Sequence, residues 1–494
     1  MKRLALVSFL VCAVTASAAF GADDPVARAM KLYERRHYAE AAAALRSEVH
    51  AVEASRQPSA QLTLGMLYLK NAELHRDLYH ESLALHLDYL KKLAATRGKS
   101  RSRFADLYLG ETLIESGKPE AAFTYLERFI ADEGIDPRSK ALAKVSLGLS
   151  FALRENKQRA EEVWAGLDAS DPEIKAALAA AYSRAGYKEK NPLTLADESL
   201  TSLKKQAAPS LRHLRDVLVV YADARQAEKA LDLLKRADLK SFSYKESVSK
   251  TKVINFYDVS LLDDLSTIYL QAGIAGLEKA SQDGKLRETA NFYLGEAYAL
   301  AGNIDQAMKA NAVFMASATM PQQYRDRARA RQAAHQHQKG HPLEAIETWD
   351  ELSKKQPEDP EVIAEVLSMC ARLRTDCPKV AQKAAAAVET GEGKRFSVLN
   401  IGLGKYYLAK KDYGKAVSYL EAGRDKGNKN KIESNDPAML VSLAEAYYRT
   451  KKFSEALEIY FEMSRQFPEV RQIQEALQGV YAMEHKSAGD VKIN

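Results

Sequence analysis

The pattern of apolar and polar positions is most regular in two segments near the C-terminus, residues 403–423 and 443–463. In each segment, apolar residues at helical spacing form one stripe, a short polar break follows, and a second apolar stripe completes the segment. The two segments coincide at four positions: Leu403 with Leu443, Tyr407 with Tyr447, Tyr413 with Phe453, and Ala416 with Ala456. The pattern predicts a pair of short amphipathic helices joined by a tight turn in each segment.

The same spacing recurs along most of the chain and defines about twelve units of this kind. One such helix pair cannot bury its apolar stripes alone, so each pair must stack on its neighbours. The repeat weakens in three places: after Gly186, across 240–261 and through 360–389. We therefore expect an extended stack of helix pairs rather than several independent globular domains.

The repeated pattern is a leucine, a small residue and a tyrosine on the first helix, followed by an alanine and a large residue on the second. It resembles the tetratricopeptide repeat family. The resemblance implies an all-α fold, a right-handed α-solenoid of about twelve helix-turn-helix repeats. It also implies that the first helix of each pair lines a concave groove that holds a ligand.

Breaks in the repeat pattern predict five segments. They are a signal peptide at 1–21, N-terminal repeats at 22–206, a repeat with an irregular Ser/Lys-rich insertion at 207–260, central repeats at 261–390, and a C-terminal repeat pair with a capping helix at 391–494. A capping helix is expected because the last repeat would otherwise expose its apolar face.

The N-terminus has the order typical of a secretory leader: basic Lys2 and Arg3, an apolar run at 4–14, then small residues. Cleavage is expected after Ala18 or after Gly21. The apolar run is too short to cross a bilayer comfortably, and no second stretch approaches about 20 apolar residues. We therefore expect an exported bacterial protein, periplasmic, with no transmembrane segment after cleavage.

Two cysteines remain beyond the leader, Cys370 and Cys377. An oxidising compartment would permit a disulfide between them across a turn. Two buried thiols acting as small apolar side chains are the alternative. The sequence leaves both readings open, because the Cα separation decides between them.

Charge and motif content argue against several function classes. The formal net charge is +6, and acidic and basic residues alternate along the helices, so no basic face favours nucleic-acid binding. His80-Glu81 begins like a zinc-protease helix, but Ala84 stands where the second histidine is required. We expect no catalytic residues, no metal site and no cofactor, and therefore a protein that is not an enzyme.

In the tetratricopeptide family, the residues just after the small position of the first helix, and those a turn further on, face the groove. Carried over to this sequence, the partner-binding candidates are Glu111, Ile114, Glu115, Leu149, Glu296, Leu300, His337, Gln338, Lys405, Leu408, Glu445, Tyr448 and Arg449. Tyrosine and arginine are frequent anchors of protein interfaces. Together the candidates favour a peptide or protein ligand over a small metabolite, which would prefer one enclosed pocket.

The resemblance and the leader together indicate a scaffold of the cell envelope. It would bind peptide or protein partners in envelope biogenesis, secretion or surface-polymer assembly. The alternative is a glycan- or peptidoglycan-binding accessory of polysaccharide export or cell-wall assembly. Its signature would be groove aromatics, and the cluster that suggests it is Tyr406, Tyr407 and Tyr448.

Overall fold

The computed structural model describes residues 24–35, 37–95, 103–203, 210–236, 256–355, 360–390, 397–424, 436–464, 477–478 and 480–481. Over these residues the chain is α-helical with short 3-10 turns and contains no β-strand. The expected all-α repeat fold is confirmed.

The α-helices are numbered in chain order. They are α1 Pro25–Glu34, α2 Tyr38–Glu48, α3 Gln57–Ala95, α4 Phe104–Glu115, α5 Pro119–Ala131, α6 Pro137–Leu153, α7 Lys157–Trp164, α8 Pro172–Arg184, α9 Pro192–Leu203, α10 Leu211–Asp223, α11 Ala227–Arg236, α12 Phe256–Ala280, α13 Arg287–Leu300, α14 Ile304–Met315, α15 Gln322–Gln338, α16 Pro342–Lys355, α17 Pro360–Leu373, α18 Pro378–Thr390, α19 Ser397–Ala409, α20 Tyr413–Gly423, α21 Pro437–Arg449 and α22 Phe453–Met463.

Most consecutive helices form pairs joined by one kind of turn. The backbone adopts a left-handed conformation one or two residues after the first helix, which lets the next amide groups bond back to the last carbonyls of that helix. Glycine takes this position at Gly117, Gly186, Gly302 and Gly340, whereas Glu155, Arg225, Arg374, Lys411 and Lys451 adopt it without glycine. The turn is therefore shared by strong and weak repeats alike.

Two helices depart from the pairing that the sequence predicts. Helix α3 runs unbroken for 39 residues, because residues 71–78 contain neither glycine nor proline and Leu74 and Leu78 are buried. Helix α12 likewise continues through Gly273. A Cβ at Gly273 would lie 3.2 Å from the Gly65 carbonyl oxygen, so this glycine permits a close helix crossing.

The chain divides into two compact units. Unit I comprises the described residues of Met1–Leu74 and Tyr269–Gln466, and unit II those of His75–Ile268 and Phe467–Asn494. Within unit II, the first helices of successive pairs, α4, α6, α8 and α10, pack side by side. Within unit I, α15, α17, α19 and α21 do the same.

Close packing inside a pair is clearest at Gly148 and Trp164 in unit II. The Trp164 indole N–H donates a hydrogen bond to the Val145 carbonyl oxygen at 3.1 Å. A Cβ on Gly148 would lie 2.2 Å from the same indole nitrogen. The ring therefore lies across the backbone of α6, and only glycine leaves room for it. In unit I, Trp349 donates in the same way to Ala330 at 2.9 Å.

The weak repeat at 360–389 is a regular helix pair, α17 and α18, despite its poor sequence match. Cys370 and Cys377 are joined by a disulfide across its turn, with a Cα separation of 6.3 Å. The Cys377 amide donates to the Tyr406 hydroxyl at 3.3 Å, and that hydroxyl donates to Asp376 at 2.6 Å. The turn is thus tied to the following helix, α19.

Three predicted segments lie outside the described residues: the signal peptide at 1–21, the irregular stretch at 240–252 and nearly all of the C-terminal capping helix. In the part of the chain that the structure describes, no helix combines the length and the apolar character needed to cross a membrane.

Candidate functional site

A narrow cleft opens between the first helices of four successive pairs in unit II. It has a free volume of about 40 Å³. A site needs about 10–15 Å³ of such volume for one water molecule, so the cleft has room for about three groups of that size. Its lining residues are Glu111, Ile114, Glu115, Val145, Ser146, Leu149, Ala177, Ala180, Ala181, Arg184, Arg212, Arg215 and Asp216.

Small residues make the cleft narrow on one side. Ala177, Ala180 and Ala181 lie on α8, which the sequence makes alanine-rich, and all three are buried. Small side chains let neighbouring helices approach closely and leave free space beside the alanine methyl groups. Ion-paired side chains from α4, the end of α8 and α10 form the opposite, polar side.

Six charged side chains of the cleft pair with one another. Arg212 contacts Glu111 at 3.1 Å, Arg184 contacts Glu115 at 2.6 Å, and Arg215 contacts Asp216 at 2.9 Å. The Ser146 hydroxyl also donates to Glu111, at 2.6 Å. Because buried charges are tolerated only when paired and hydrogen-bonded, these contacts explain how so many charges lie between packed helices.

Two more groups of unit II extend this network behind the cleft. The Tyr79 hydroxyl donates to Glu115 at 3.2 Å, and Asp264 lies 3.4 Å from Arg215 and 3.9 Å from Arg184. Burial raises the pKa of Glu115, but Arg184 and Arg215 outweigh burial, so its pKa is lowered. Glu115 is therefore a carboxylate at neutral pH.

The structure brings together four residues that the sequence assigned to a groove: Glu111, Ile114, Glu115 and Leu149 all line the cleft. Neither carboxylate is a free groove charge: Glu111 is only 5% exposed and binds Arg212 of α10, and Glu115 binds Arg184 at the end of α8. A ligand at this site would meet ion pairs rather than single charges.

Sequence reasoning missed Arg212, Arg215 and Asp216, although a signal for them was present. They fall within the first six residues of α10, a helix in which every residue from Arg212 to Ala222 is buried. Charged residues at such spacing on an otherwise apolar helix could have indicated a buried ionic cluster. Glu111, the partner of Arg212, lies 101 residues earlier in the chain, and sequence spacing cannot reveal such a distant contact.

A second row of buried charges crosses the first helices of unit I. Lys70 contacts Glu73 at 2.5 Å, Glu73 is hydrogen-bonded to Glu296, and Glu296 lies 3.4 Å from Arg331. Arg331 contacts Glu365 at 2.8 Å. Glu296, expected on a groove surface, is thus a member of a continuous ionic row.

The two adjacent carboxyl groups of this row differ in acidity. Burial and the neighbouring Glu296 carboxylate raise the pKa of Glu73 to about 8. Burial also raises the pKa of Glu296, but Arg331 and Lys70 outweigh it, so the pKa of Glu296 is lowered. Near neutral pH the pair holds one proton, which resides on Glu73.

The C-terminal candidates present a mixed surface. Lys405 and Leu408 on α19, and Glu445 and Tyr448 on α21, are half-buried, as is Leu300 on α13, whereas Arg449 is exposed. Arg449 lies 3.4 Å from Glu445 and stacks on the Tyr448 ring at 5.7 Å. The three residues Glu445, Tyr448 and Arg449 therefore form one accessible contact patch at the end of α21.

Two of the three tyrosines that would suggest a glycan site pack against the protein itself. Tyr406 is 4% exposed and its hydroxyl donates to Asp376. Tyr407 stacks on Tyr419 with the ring centroids 5.5 Å apart and the planes within 5°. The third, Tyr448, belongs to the contact patch at the end of α21.

Metal-ligating side chains do not gather anywhere in the described segments: no group of three or more His, Cys, Asp or Glu residues has the arrangement of a metal site.

Residues 401–469 match the family model described as tetratricopeptide repeat, and this range contains most of α19 and all of α20, α21 and α22. This match agrees with the repeat pattern that the sequence predicts in these residues. Proteins with tetratricopeptide repeats are generally non-catalytic scaffolds.

Three solved structures are similar along most of their length. Yeast Tom70 shares 13% identity, covering 94% of this chain and 95% of its own, with a TM-score of 0.31. Cut9–Hcn1 of an APC/C hetero-tetramer shares 15% over 95% and 98%, with a TM-score of 0.28, and the P58(IPK) TPR domain shares 13% over 78% and 99%, with a TM-score of 0.19. These TM-scores are too low to carry an argument. No curated protein sequence matches this chain.

Proposed function

We propose that this protein is an exported scaffold of the cell envelope that binds peptide or protein partners on the first helices of its repeats. The observation that carries the proposal is the cleft of unit II. It combines apolar walls with polar groups that are already oriented by ion pairs. Such preorganised groups lose little conformational freedom on binding, which favours recognition of an extended partner segment.

The contact patch of Glu445, Tyr448 and Arg449 supports the same function in unit I. It lies on the first helix of the last repeat in the family match, and Tyr and Arg are the side chains that most often anchor interfaces. The arginine is held over the tyrosine ring, so the patch is partly ordered before a partner arrives.

Two observations support export. The first 22 residues have the basic, apolar and small-residue order of a secretory leader. The Cys370–Cys377 disulfide is of a kind that persists in oxidising compartments and is rare in the cytosol. Both observations support our proposal that the protein is exported to the bacterial periplasm.

Partner binding is tested by affinity capture from an envelope extract, with Tyr448→Ala plus Arg449→Ala as the test variant. Glu455→Ala plus Glu458→Ala is the matched control, because both glutamates are exposed on the second helix of the same pair. We expect wild type and control to retain one dominant protein partner and the test variant to lose at least about 90% of it, which is about 1.4 kcal/mol. Equal retention by all three would remove the patch from the proposal.

Export is tested separately by expressing the full-length chain in a bacterium, fractionating the cells and sequencing the N-terminus of the mature protein. The proposal predicts a periplasmic protein that begins at Ala19 or Ala22. A cytosolic protein that retains Lys2 and Arg3 would overturn it.

A further inference from the structure

Three successive turns of unit I place a basic residue where the backbone favours glycine. In the turns of α17–α18, α19–α20 and α21–α22, Arg374, Lys411 and Lys451 adopt φ angles of 52°, 63° and 61°. Two earlier turns of the same unit have Gly302 and Gly340 at this position. A side chain is disfavoured in the left-handed conformation, so the geometry of the turn gives no reason for basic residues there.

The three turns lie at the same end of neighbouring helices. The first helices α17, α19 and α21 pack side by side, and each second helix returns the chain to the start of the next pair. A direct contact joins two of the turns, since the Lys410 ammonium group lies 3.1 Å from the Asp376 carboxylate. Because packed helices are about 8–10 Å apart, the turns form one continuous row. We call this row the basic edge; it comprises residues 373–379, 410–416 and 450–456.

Basic side chains outnumber acidic ones along the basic edge. The basic residues are Arg374, Lys379, Lys410, Lys411, Lys415, Lys451 and Lys452, and the acidic residues are Asp376, Asp412 and Glu455. Lys379, Lys410 and Lys415 each contact a carboxylate at 3.1–3.4 Å. Carboxylate pairing therefore neutralises fewer than half of the basic side chains.

The other four basic side chains of the edge are accessible. Arg374, Lys411, Lys451 and Lys452 are exposed, and none of them forms an ion pair with another residue that the structure describes. Glu455 is the acidic residue of the edge that is exposed without such a pair. The basic edge therefore presents a net positive charge to solvent and fits an anionic partner.

An exposed apolar side chain lies next to this row of charges. Leu343, in the first turn of α16, is 75% exposed, and the preceding Pro342 is exposed as well. The end of α15 adjoins the basic edge, because the Thr375 hydroxyl lies 2.7 Å from the His337 Nε2. Basic residues beside an exposed apolar side chain are the combination that binds the surface of an anionic bilayer.

This arrangement favours a lipid surface over a soluble acidic peptide. The basic residues lie on separate turns at the ends of helices, and a bilayer offers many anionic headgroups in one plane, so each turn can contact its own headgroup. The apolar layer beneath the headgroups also accepts Leu343. An acidic peptide would match the charges but would give Leu343 no apolar surroundings.

We propose that the basic edge of unit I binds the surface of an anionic phospholipid bilayer, with Leu343 inserted among the lipids. Arg374, Lys411 and Lys451 contact the anionic headgroups. This inference goes beyond the proposed function, because it assigns a lipid ligand to residues outside the cleft of unit II. Binding to vesicles requires no protein partner, so the two proposals can fail separately.

Cosedimentation of the full chain with lipid vesicles tests the inference. At low salt, vesicles with about one-third phosphatidylglycerol should bind at least about tenfold more tightly than pure phosphatidylcholine vesicles. The difference should shrink as the salt concentration rises, because salt screens exposed charges. Equal binding to both kinds of vesicle, or no binding to either, would overturn the inference.

The discriminating variant removes the three basic residues of the left-handed position: Arg374→Gly, Lys411→Gly and Lys451→Gly. Glycine adopts this conformation readily, so the variant should fold like wild type. Its affinity for the anionic vesicles should fall at least about tenfold, because each basic side chain near an anionic surface contributes to binding. Unchanged affinity in the folded variant would overturn the inference.

The matched control also loses three positive charges but keeps the basic edge intact. It carries Lys285→Gln, Lys309→Gln and Lys354→Gln, which replace exposed lysines of unit I. We expect it to bind anionic vesicles like wild type. An equal loss in both triple variants would assign binding to overall charge and overturn the inference. The predicted leader is the same in all these proteins, so its own affinity for lipid cancels in the comparison.

Leu343→Ser separates a lipid surface from a soluble polyanion. It should weaken the binding of anionic vesicles and leave the binding of soluble poly-glutamate unchanged. Wild-type vesicle affinity in Leu343→Ser, together with equally tight binding of poly-glutamate, would assign the edge to an acidic protein and overturn the inference. Capture of an envelope protein by a chain that does not bind vesicles would leave the proposed function in place and reject only this inference.

Discussion

Arg212 donates a hydrogen bond to Glu111 at 3.1 Å although 101 residues separate them in the chain. Both side chains are more than 90% buried. The pair joins α10 to α4, two first helices that belong to different repeats, and lies in the wall of the cleft. Packing between repeats and the polarity of the candidate site therefore depend on the same contact.

Removing one member of this pair should lower the free energy of unfolding more than removing both members. Arg212→Met leaves the Glu111 charge buried without its main partner, which should cost about 3–5 kcal/mol in the free energy of unfolding. The double variant Arg212→Met with Glu111→Leu should recover part of that loss. Urea unfolding of wild type, Arg212→Met and the double variant measures both effects, and a double variant that is less stable than Arg212→Met would contradict this account.

Gly148 should not tolerate a side chain. A Cβ there would lie 2.2 Å from the Trp164 indole nitrogen, so Gly148→Ala should displace the ring and cost about 1–3 kcal/mol. Gly166→Ala is the control, because nothing lies within 4 Å of its added Cβ. Thermal unfolding should separate the two variants, and equal melting temperatures would show that α6 and Trp164 are not packed as described.

The carboxyl pair of unit I predicts a dependence of stability on pH. The pKa of Glu73 is about 8 in the folded protein, above its ordinary value of 4.5. The folded state therefore binds this proton more tightly, and the stabilisation, complete below about pH 4.5, is lost as the pH rises through about 8.

Glu73→Gln should remove this dependence. Between pH 5 and pH 8, wild type should lose more stability than the variant, by at least about 1 kcal/mol, since each unit of pKa shift corresponds to about 1.4 kcal/mol. Unfolding curves at several pH values give the comparison. Parallel losses in both proteins would mean that Glu73 does not hold the proton.

The disulfide of the weak repeat should be visible by mass and by stability. Unreduced protein should weigh about 2 Da less than reduced protein because two hydrogens are absent when Cys370 and Cys377 are bonded. The bond closes a short loop with a sequence separation of 7, so reduction should cost about 2–3 kcal/mol by the loop-entropy estimate. Identical masses before and after reduction would show two thiols instead.

The sequence by itself determined the helix pairs and their period. Apolar spacing within a pair is local, so positions such as Leu403, Tyr407 and Ala416 could be recognised without a structure. The resemblance to the tetratricopeptide repeat also assigned Glu111 and Glu115 to the groove-facing side of the first helix, and both residues line the cleft.

The tertiary structure determined which residues of other helices those helix faces contact. Helix α3 continues through residues 71–78 because Leu74 and Leu78 are buried there. Helix propensity alone does not predict that burial. Whether Glu111 faced solvent depended on Arg212, a contact between distant segments. Contacts of this kind arise only when the repeats are stacked, since their energy comes from burial and charge pairing between helices rather than from the pattern within one helix.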